Sequence, residues 1–408
     1  MLKRIHTEQL RLGMYVHELC GSWMDHPFWR NAFPLEDPQD LRDILATGIK
    51  EAWIDTDKGL DVEGGETKEA IAAEVETTLA QADADAGEER IDAVKEAARA
   101  VMICAKSKLA VTSMFREARM GKALHTEDAL PVVEQISSSV LRNPGALIGL
   151  ARLKNKDEYT YMHSVAVCAL MVALARQLGL DEDQVREAGM AGLLHDVGKM
   201  AIPSEVLNKP GKLTDAEFDL MKSHPAEGHK MLLAGRGVSD ITLDVCLHHH
   251  EKMNGSGYPD KLRGEQISLY ARMGAVCDVY DAITSNRPYK NGWEPAESLR
   301  RMAEWGPGHY DMAVFHAFVK SIGIYPVGSL VRLESNRLAV VVDQTTKSLL
   351  TPIVKVFFSI KSNGRIAPEM LDLSKPACWD KIVSHEDPEV WKIPDIHELW
   401  SGLPAKSW

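Results

Sequence analysis

An aspartate directly follows a histidine at the end of an apolar helical run, in the stretch 191–199 (AGLLHDVGK). Adjacent residues cannot share one face of a helix. At a helix end, however, both His195 and Asp196 can point into one polar pocket, where imidazole and carboxylate each suit a divalent first-row metal. An isolated His-Asp pair is more often an ordinary helix end, so the interpretation depends on what the rest of the region supplies.

The surrounding region, from about Gly145 to Gly323, has almost wholly helical periodicity broken by glycines and prolines, which predicts one helical-bundle domain. Seven of the chain's 15 histidines fall in an 88-residue window of this region, at positions 163, 195, 224, 229, 248, 249 and 250. Each buried histidine would need its own hydrogen-bond partner. A shared metal site explains so many of them better, because helical bundles build di-metal sites from ligands on facing helices.

The candidate ligands come from five separate segments of this region: His163, His195, Asp196, His224, His249, His250 and Asp278. Seven ligands are too many for one tetrahedral zinc and suit two octahedral ions bridged by Asp196 and a water. Such a pair lowers the pKa of the bridging water, so that hydroxide is present near neutral pH. The pattern therefore predicts a hydrolase, most simply of a phosphoester.

Cations that are not metal ligands lie close to these segments. Lys199 follows His195 by four residues, and Arg287 and Lys290 follow Asp278 in the sequence NRPYK. They are expected to contact substrate phosphate, although Arg287 and Lys290 taken alone are more often solvated.

The loop 254–259 (NGSGYP) directly follows the histidine run. Its two glycines permit close approach of the backbone to a ligand, and Tyr258 offers a ring face on which a purine can stack. The alternative is a plain turn that ends a helix, with Tyr258 packed on a neighbouring helix.

Together, HDVGK, HHHEKMNGSGYP and DVYDAITSNRPYK resemble the HD-GYP family of cyclic di-GMP phosphodiesterases, a subgroup of the HD phosphohydrolases, over roughly residues 155 to 320. The resemblance implies the same seven metal ligands and hydrolysis of cyclic di-GMP to pGpG or GMP. It implies iron as the divalent metal, with manganese as the alternative. It also implies the residues of the reacting centre and of the dinucleotide site: Asp196 and Lys199 as catalytic, and Lys199, Tyr258, Asp281, Arg287 and Lys290 at the substrate. Asp281 would either support a ligand from behind or face the phosphate.

Two other functions stay open at this point. The first is a sensor that binds the cyclic dinucleotide and signals with little turnover. The second keeps the phosphohydrolase chemistry but changes the nucleotide, for example to cyclic GMP-AMP or pGpG. No motif in the chain defines the pocket edges on which guanine specificity depends.

The chain departs from the family pattern at several positions. Members with three metals have a glutamate four residues before the first ligand histidine, where this chain has Tyr159, with Glu158 one position away. We therefore expect two metals. The aspartate that usually precedes the glycine loop is Asn254, which bears on loop geometry and substrate preference, and His248 adds a histidine before the expected pair.

The predicted fold class is mainly α, with an HD-type helical bundle at 145–323. A small N-terminal α+β module (1–62) and a small C-terminal β module with a tail (324–408) flank it. The segment after the N-terminal module is acidic and alanine-rich, which predicts a linker at 63–90. Helices at 91–144 would connect linker and bundle, and the first is long enough to pack against a second copy, so a homodimer is an open alternative. The flanking modules are where other signalling proteins would bind, and the tail's tryptophans (379, 391, 400 and 408) are expected to fix it to another domain.

Composition excludes several classes of partner. The formal net charge of −12 disfavours nucleic acid and anionic membranes, and no run of 18 apolar residues occurs. The six cysteines lack a C-x-x-C spacing, which excludes a zinc ribbon and indicates reduced thiols. We therefore expect a cytoplasmic protein whose small-molecule partner is cyclic di-GMP.

Overall fold

The computed structural model describes residues 2–19, 32–46, 51–62, 66–67, 93–152, 159–209, 213–285, 292–345 and 348–404. Arg287, Lys290, Glu158 and the side chain of Tyr159 lie outside the described residues. The chain divides into two compact units, Met1–Asp85 and Ala86–Trp408, and each is described by itself.

In its described residues, the first unit is an antiparallel sheet with helix α1 (Pro38–Ala46). Its five strands lie in the order β3-β2-β4-β1-β5. They are β1 (Leu2–His6), β2 (Tyr15–Leu19), β3 (Phe33–Pro34), β4 (Glu51–Asp55) and β5 (Glu66–Thr67). Alternate residues such as Val16 and Ile54 point into a core that also buries Ile44. The segment predicted as an acidic linker thus contributes a strand, since β5 pairs with β1.

The second unit is mainly helical, which confirms the predicted class. Its helices are α2 (Ala93–Arg119), α3 (Thr126–Arg142), α4 (Pro144–Ala151), α5 (Tyr159–Gln177), α6 (Glu182–Leu194), α7 (Ser204–Leu207), α8 (Asp215–Met221), α9 (His224–Leu233), α10 (Asp240–His248), α11 (Leu269–Thr284), α12 (Pro295–His309) and α13 (Met312–Ile322). Short 3-10 turns at Val197–Ala201 and Gly264–Gln266 join some of them.

Helix α5 forms the centre of the bundle. Its residues from 162 to 175 are all buried, as expected for a helix that is apolar on every side. Asp181 caps the start of helix α6: its side chain accepts from the Gln184 amide, while the Gln184 side chain accepts from the Asp181 amide. Helices α2, α3 and α4 pack directly on α5, so the predicted connecting helices are part of the bundle.

Helices α3 and α4 meet at Asn143, where the sequence predicts a helix end. The Asn143 side chain accepts from the Ala146 amide, and Pro144 occupies the first helical position, where a missing N–H costs nothing. A buried ion pair between Glu96 and Arg142, with nitrogen and oxygen 2.9 Å apart, joins α2 to α3.

The C-terminal part of this unit is a second antiparallel sheet, in the order β10-β6-β7-β8-β9. Its strands are β6 (Leu330–Leu333), β7 (Arg337–Asp343), β8 (Ile353–Ser359), β9 (Gly364–Asp372) and β10 (Ile382–Glu386), followed by helix α14 (Ile396–Ser401). Trp400 is fully buried beside Gly149 of α4, where an added Cβ would lie 3.0 Å from the indole ring. Trp379 is 69% exposed, so the prediction that it fixes the tail is wrong for this residue.

Every helix in the described part of the chain is too short or too polar to cross a membrane. The cysteines at 104, 168, 246, 277 and 378 are free thiols.

Candidate metal centre

The structure brings the seven candidate ligands together from five parts of the bundle. They are His163 in α5, His195 and Asp196 just after α6, His224 at the start of α9, His249 and His250 just after α10, and Asp278 in α11. All are buried except His250, which keeps partial exposure. Ends of helices carry most of them, because there a side chain can leave the helix axis and point across the bundle.

Two glycines allow the turn after α6 to touch the start of α9. A Cβ added at Gly198 would lie 1.9 Å from the His224 carbonyl oxygen and 2.4 Å from the Gly228 amide nitrogen. No side chain fits in this contact. The close approach of the two backbones sets the position of His195 and Asp196 relative to His224.

Asp196 stands between two groups of histidines and turns one carboxylate oxygen toward each. Its Oδ2 lies 3.3 Å from His163 Nε2 and 3.4 Å from His195 Nε2. Its Oδ1 lies 3.2 Å from His224 Nε2 and 3.9 Å from His249 Nε2. The carboxylate therefore faces both groups of histidines at once.

Asp278 and His250 complete the two groups. Asp278 Oδ1 is 3.0 Å from His163 Nε2, and Asp278 Oδ2 is 3.7 Å from His250 Nδ1. Ligand atoms within 4.8 Å of one another form the sets His163, His195 and Asp278; His224, His249 and His250; and His195, Asp196 and His249.

Hydrogen bonds on the far side of the rings fix which nitrogen faces the centre. His195 Nδ1 is 2.8 Å from the Gly192 carbonyl oxygen, His224 Nδ1 is 2.7 Å from that of Met221, and His249 Nδ1 is 3.0 Å from that of Val245. A carbonyl can only accept, so each Nδ1 carries the proton and each Nε2 presents a lone pair inward.

The resulting donor set fits divalent metal ions. The Nε2 atoms of His224 and His249 lie 3.4 Å apart, so two lone pairs face each other where a cation would relieve the repulsion. His195 Nε2 is buried and has no hydrogen-bond partner in the described part of the chain. Imidazoles and carboxylates without a thiolate suit Fe, Mn, Co or Ni.

Electrostatics also match a cation site. Burial alone would raise the pKa of Asp196 and of Asp278. For Asp196 the charge of Lys199 and the neighbouring histidines outweigh burial, and for Asp278 the histidines do. The pKa values of both carboxylates therefore lie well below the usual range. Burial lowers the pKa of His249 well below its usual value and that of His250 to about 3, which keeps both rings neutral. Ionised carboxylates and neutral imidazoles are the forms that bind metal.

His163 differs, because it is surrounded by carboxylates. Burial lowers its pKa, but contacts with Asp196, Asp278 and Asp281 outweigh burial and raise the pKa to about 10. Its Nδ1 lies 2.6 Å from Asp281 Oδ2, on the side away from the other histidines. Of the two roles that the resemblance implied for Asp281, this position favours support of a ligand over contact with phosphate.

Two of the predicted substrate residues lie beside the ligands. Lys199 Nζ contacts Asp196 Oδ2 and keeps partial exposure. The Tyr258 ring lies next to the His250 ring, with centroids 4.8 Å apart and planes at 31°. Arg287 and Lys290 lie outside the described residues, and their contact with phosphate stays a prediction.

The loop 254–260 is held by residues to which sequence reasoning gave no role. Glu251 Oε1 accepts from the Asp260 amide at 2.7 Å, and His248 lies between Asp244 (2.7 Å) and Asp260 (3.0 Å). His248 is therefore not part of the ligand cluster. The sequence does contain a signal for these residues, because His248 and Glu251 directly flank the candidate ligands His249 and His250.

Asn254 preserves the turn that the usual aspartate would make. Its Oδ1 accepts from the Ser256 amide at 2.9 Å and from the Ser256 hydroxyl at 2.7 Å. Asparagine and aspartate share this acceptor oxygen, so the departure leaves these loop hydrogen bonds intact.

A cavity of about 350 Å³ opens beside His249 and His250. Its other walls are Glu251, Lys252, Ala275, Val279, His309 and Tyr310. Sequence analysis missed His309 and Tyr310, because they lie 59 or more positions after the ligand pair and belong to no recognised motif.

Comparison with known proteins identifies the family to which the chain is similar. A family model described as HD domain matches residues 142–314, and one described as Domain of unknown function (DUF3391) matches residues 2–129. A curated cyclic di-GMP phosphodiesterase of Pseudomonas aeruginosa is 57% identical over 408 residues, which is 100% of this chain and 97% of the relative. A cyclic di-GMP phosphodiesterase response regulator of Xanthomonas campestris is 51% identical over 121 residues, 29% of this chain and 32% of the relative.

The chain is also similar to a second curated relative and to one solved structure. A 3′3′-cGAMP-specific phosphodiesterase of Vibrio cholerae is 35% identical over 167 residues, 41% of this chain and 38% of the relative. The solved structure of an HDG"Y"P protein from Bdellovibrio bacteriovorus covers 78% of this chain and 99% of its own, with a TM-score of 0.53 and 17% identity, and so shows a shared fold alone. With its full-length likeness to the Pseudomonas protein and the motifs that carry the ligands, the chain belongs to the HD-GYP family of cyclic di-GMP phosphodiesterases.

Proposed function

We propose that this protein is a metal-dependent phosphodiesterase that hydrolyses cyclic di-GMP. The observation that carries the proposal is the position of Asp196, whose two oxygens face separate groups of histidines within one buried centre. Cleavage of one P–O3′ bond of the cyclic dinucleotide gives linear pGpG, and cleavage of the remaining phosphodiester gives GMP.

The seven clustered side chains would hold two divalent ions, with Asp196 shared between them. His163, His195 and Asp278 would complete one site, and His224, His249 and His250 the other. When bound, such an ion pair supplies a water of lowered pKa and positive charge for the phosphate. Iron is the proposed metal, with manganese as the alternative.

The chain's own residues hold and orient the reactants. Asp281 keeps the His163 ring in place from behind. Lys199 is near enough to Asp196 to neutralise charge at the reacting centre and to contact the phosphate. Tyr258 offers a ring face to a guanine, and Arg287 and Lys290 are the proposed contacts to phosphate oxygens.

A single substitution tests the proposal. Asp196→Ala is expected to remove both metal ions and all turnover of cyclic di-GMP, because it removes the ligand that both sites share. Asp183→Ala, at an exposed aspartate on α6, is the matched control and should keep metal content and rate. Metal analysis, product chromatography and circular dichroism would be run on both variants. A folded Asp196→Ala protein with wild-type turnover would refute the assignment.

A second substrate is favoured by one observation, the likeness to a 3′3′-cGAMP-specific phosphodiesterase. That likeness covers less of the chain at lower identity than the likeness to the cyclic di-GMP enzyme. Initial rates for cyclic di-GMP, cyclic GMP-AMP and pGpG, measured on protein loaded with Mn²⁺ or anaerobic Fe²⁺, separate the candidates. Binding of cyclic di-GMP with no product under either metal would instead support a sensor.

The remaining assignments are proposals about organisation. We keep the proposed boundaries, with modules at 1–62 and 324–408 around a catalytic bundle at 145–323. The two modules are the proposed sites of contact with other signalling proteins. The helices within 91–144 would serve a homodimer if one forms, although α2 already buries much of its surface on its own bundle. Free thiols at the described cysteines support a reducing compartment, which is the cytoplasm.

A further inference from the structure

The cavity beside His249 and His250 has a composition suited to part of a nucleotide. Its volume of about 350 Å³ is within the range of small-ligand pockets. Ala275 and Val279 give it an apolar floor on the same face of α11 as the candidate ligand Asp278. Lys252, His309 and Tyr310 add a cation, an imidazole and a phenol.

Two polar groups of this cavity have no partner among the described residues. The Lys252 ammonium makes no ion pair or hydrogen bond with any residue that the structure describes, and the Tyr310 hydroxyl likewise lacks a described partner. Burial and the nearby charge of Lys252 lower the pKa of His309, so its ring is neutral. In a chain of net charge −12, an unpaired lysine next to a candidate metal centre points to an anionic ligand.

The walls are positioned before any ligand arrives. The Met253 amide donates to the His309 carbonyl at 3.2 Å, and the Asn254 amide donates to the Gly308 carbonyl at 2.9 Å. Gly308 has a φ of 91°, a conformation that favours glycine. These bonds hold the segment after the ligand histidines against the end of α12.

The turn after α12 is anchored from its other side as well. Asp311 accepts from the amides of Ala313 and Val314 and pairs with Arg272 at 2.8 Å. The Tyr310 ring stacks on Phe315, with centroids 6.1 Å apart and planes at 18°. Tyr310 is therefore fixed with its hydroxyl free.

A cyclic dinucleotide requires such a neighbouring site. The proposed metal pair engages one phosphodiester, and the second belongs to the same ring and therefore lies close by. Resting on the proposed function, we propose that Lys252, His309 and Tyr310 bind the second nucleoside phosphate of the cyclic dinucleotide, the one that is not being cleaved. Lys252 contacts the phosphate, and His309 and Tyr310 contact the nucleoside.

Two substrates of different size test this assignment. Bis-p-nitrophenyl phosphate has a single phosphodiester and needs only the metal centre, whereas cyclic di-GMP also needs the second subsite. Lys252→Ala is expected to raise KM for cyclic di-GMP about tenfold or more, as for loss of a charge-assisted hydrogen bond. It should leave kcat/KM for bis-p-nitrophenyl phosphate and the metal content within twofold of wild type. His309→Ala and Tyr310→Phe are expected to follow the same pattern with smaller effects.

Inhibition provides a readout that does not depend on turnover of the dinucleotide. Cyclic di-GMP should inhibit hydrolysis of the small diester, with an inhibition constant about tenfold higher in Lys252→Ala than in wild type. Lys361→Ala is the matched control, because Lys361 is an exposed lysine in the turn between β8 and β9. It should change neither constant.

Three results would overturn the assignment of the subsite. They are an equal loss on both substrates, a loss of metal in Lys252→Ala, and unchanged constants for cyclic di-GMP in that variant. Failure of the proposed function looks different, since wild-type enzyme would then hydrolyse the small diester and leave cyclic di-GMP intact.

Discussion

Gly198→Ala is expected to dismantle the metal centre while adding only one methyl group. The new Cβ would lie 1.9 Å from the His224 carbonyl oxygen, whereas ordinary contacts begin at 3.4 Å. The two backbones must therefore separate by about 1.5 Å, the difference between these distances, which is several times the roughly 0.2 Å tolerance of a metal–ligand bond. Overpacking of this kind costs about 1 to 3 kcal/mol of folding stability.

The functional loss should exceed the loss of stability. A displacement of roughly 1 Å at a reacting centre costs about a hundredfold in rate, so kcat/KM for cyclic di-GMP should fall at least that far, and bound metal should fall with it. Elemental analysis, steady-state rates and urea unfolding would be measured together.

Gly364→Ala is the matched control for this variant. Its added Cβ would meet nothing closer than 3.8 Å, and its stability should change by less than about 0.5 kcal/mol. If Gly198→Ala fails to fold, Gly228→Ala gives a second test, because its Cβ would meet Cys246 Sγ at 2.7 Å and the Gly198 nitrogen at 2.9 Å. Two metal equivalents and wild-type kcat/KM in folded Gly198→Ala would refute the reasoning.

Four further outcomes are expected. Asp281→Ala should weaken metal binding by about tenfold to a hundredfold, measured by chelator competition, because it frees a ligand ring, and Asp281→Asn should retain more affinity. Glu251→Ala should raise KM for cyclic di-GMP more than it lowers kcat, and Glu251→Gln should restore KM, since glutamine keeps the acceptor for the loop amide. Trp400→Ala should cost about 3 to 5 kcal/mol in urea unfolding, because this side chain is fully buried. Burial, aided by the Arg152 charge, lowers the pKa of His397 to about 4, so the folded state binds its proton less readily than the unfolded state. Stability should then fall between about pH 6.5 and 4, by at most about 2 kcal/mol at pH 5, and His397→Gln should flatten this slope in urea titrations.

The cluster of candidate ligands could be predicted from the sequence because its motifs are short and several of its members are neighbours in the chain. His195 and Asp196 follow a helical run that ends where the structure ends α6, and His249 and His250 stand beside a glycine loop. Counting histidines alone overestimates the cluster, since His248 holds the loop through Asp244 and Asp260. Residue type indicated metal binding, and only the fold separated the clustered side chains from those that hold the loop.

Contacts between distant parts of the chain were beyond sequence reasoning. His309 is held beside the cavity by backbone hydrogen bonds, from the Met253 amide to the His309 carbonyl and from the Asn254 amide to the Gly308 carbonyl, and no side-chain pattern encodes such bonds. Trp400 packs on Gly149, more than 200 positions earlier in the chain. Strand β5 forms in a segment whose composition favours disorder. Its antiparallel pairing with β1 stabilises the strand, although the local sequence has little preference for one.

The hydrogen bonds behind the histidine rings have a consequence for how the centre tolerates genetic change. His195, His224 and His249 are oriented by main-chain carbonyls, and a substitution at the residue that owns such a carbonyl leaves the acceptor in place. The orientation of these three rings is therefore insensitive to substitution of the neighbouring side chains, provided that the helices still form. His163 relies instead on a side chain, Asp281, which a single nucleotide change can replace. Random mutation should therefore inactivate the enzyme by removing the partner of His163 more often than by removing the partner of any of the other three rings.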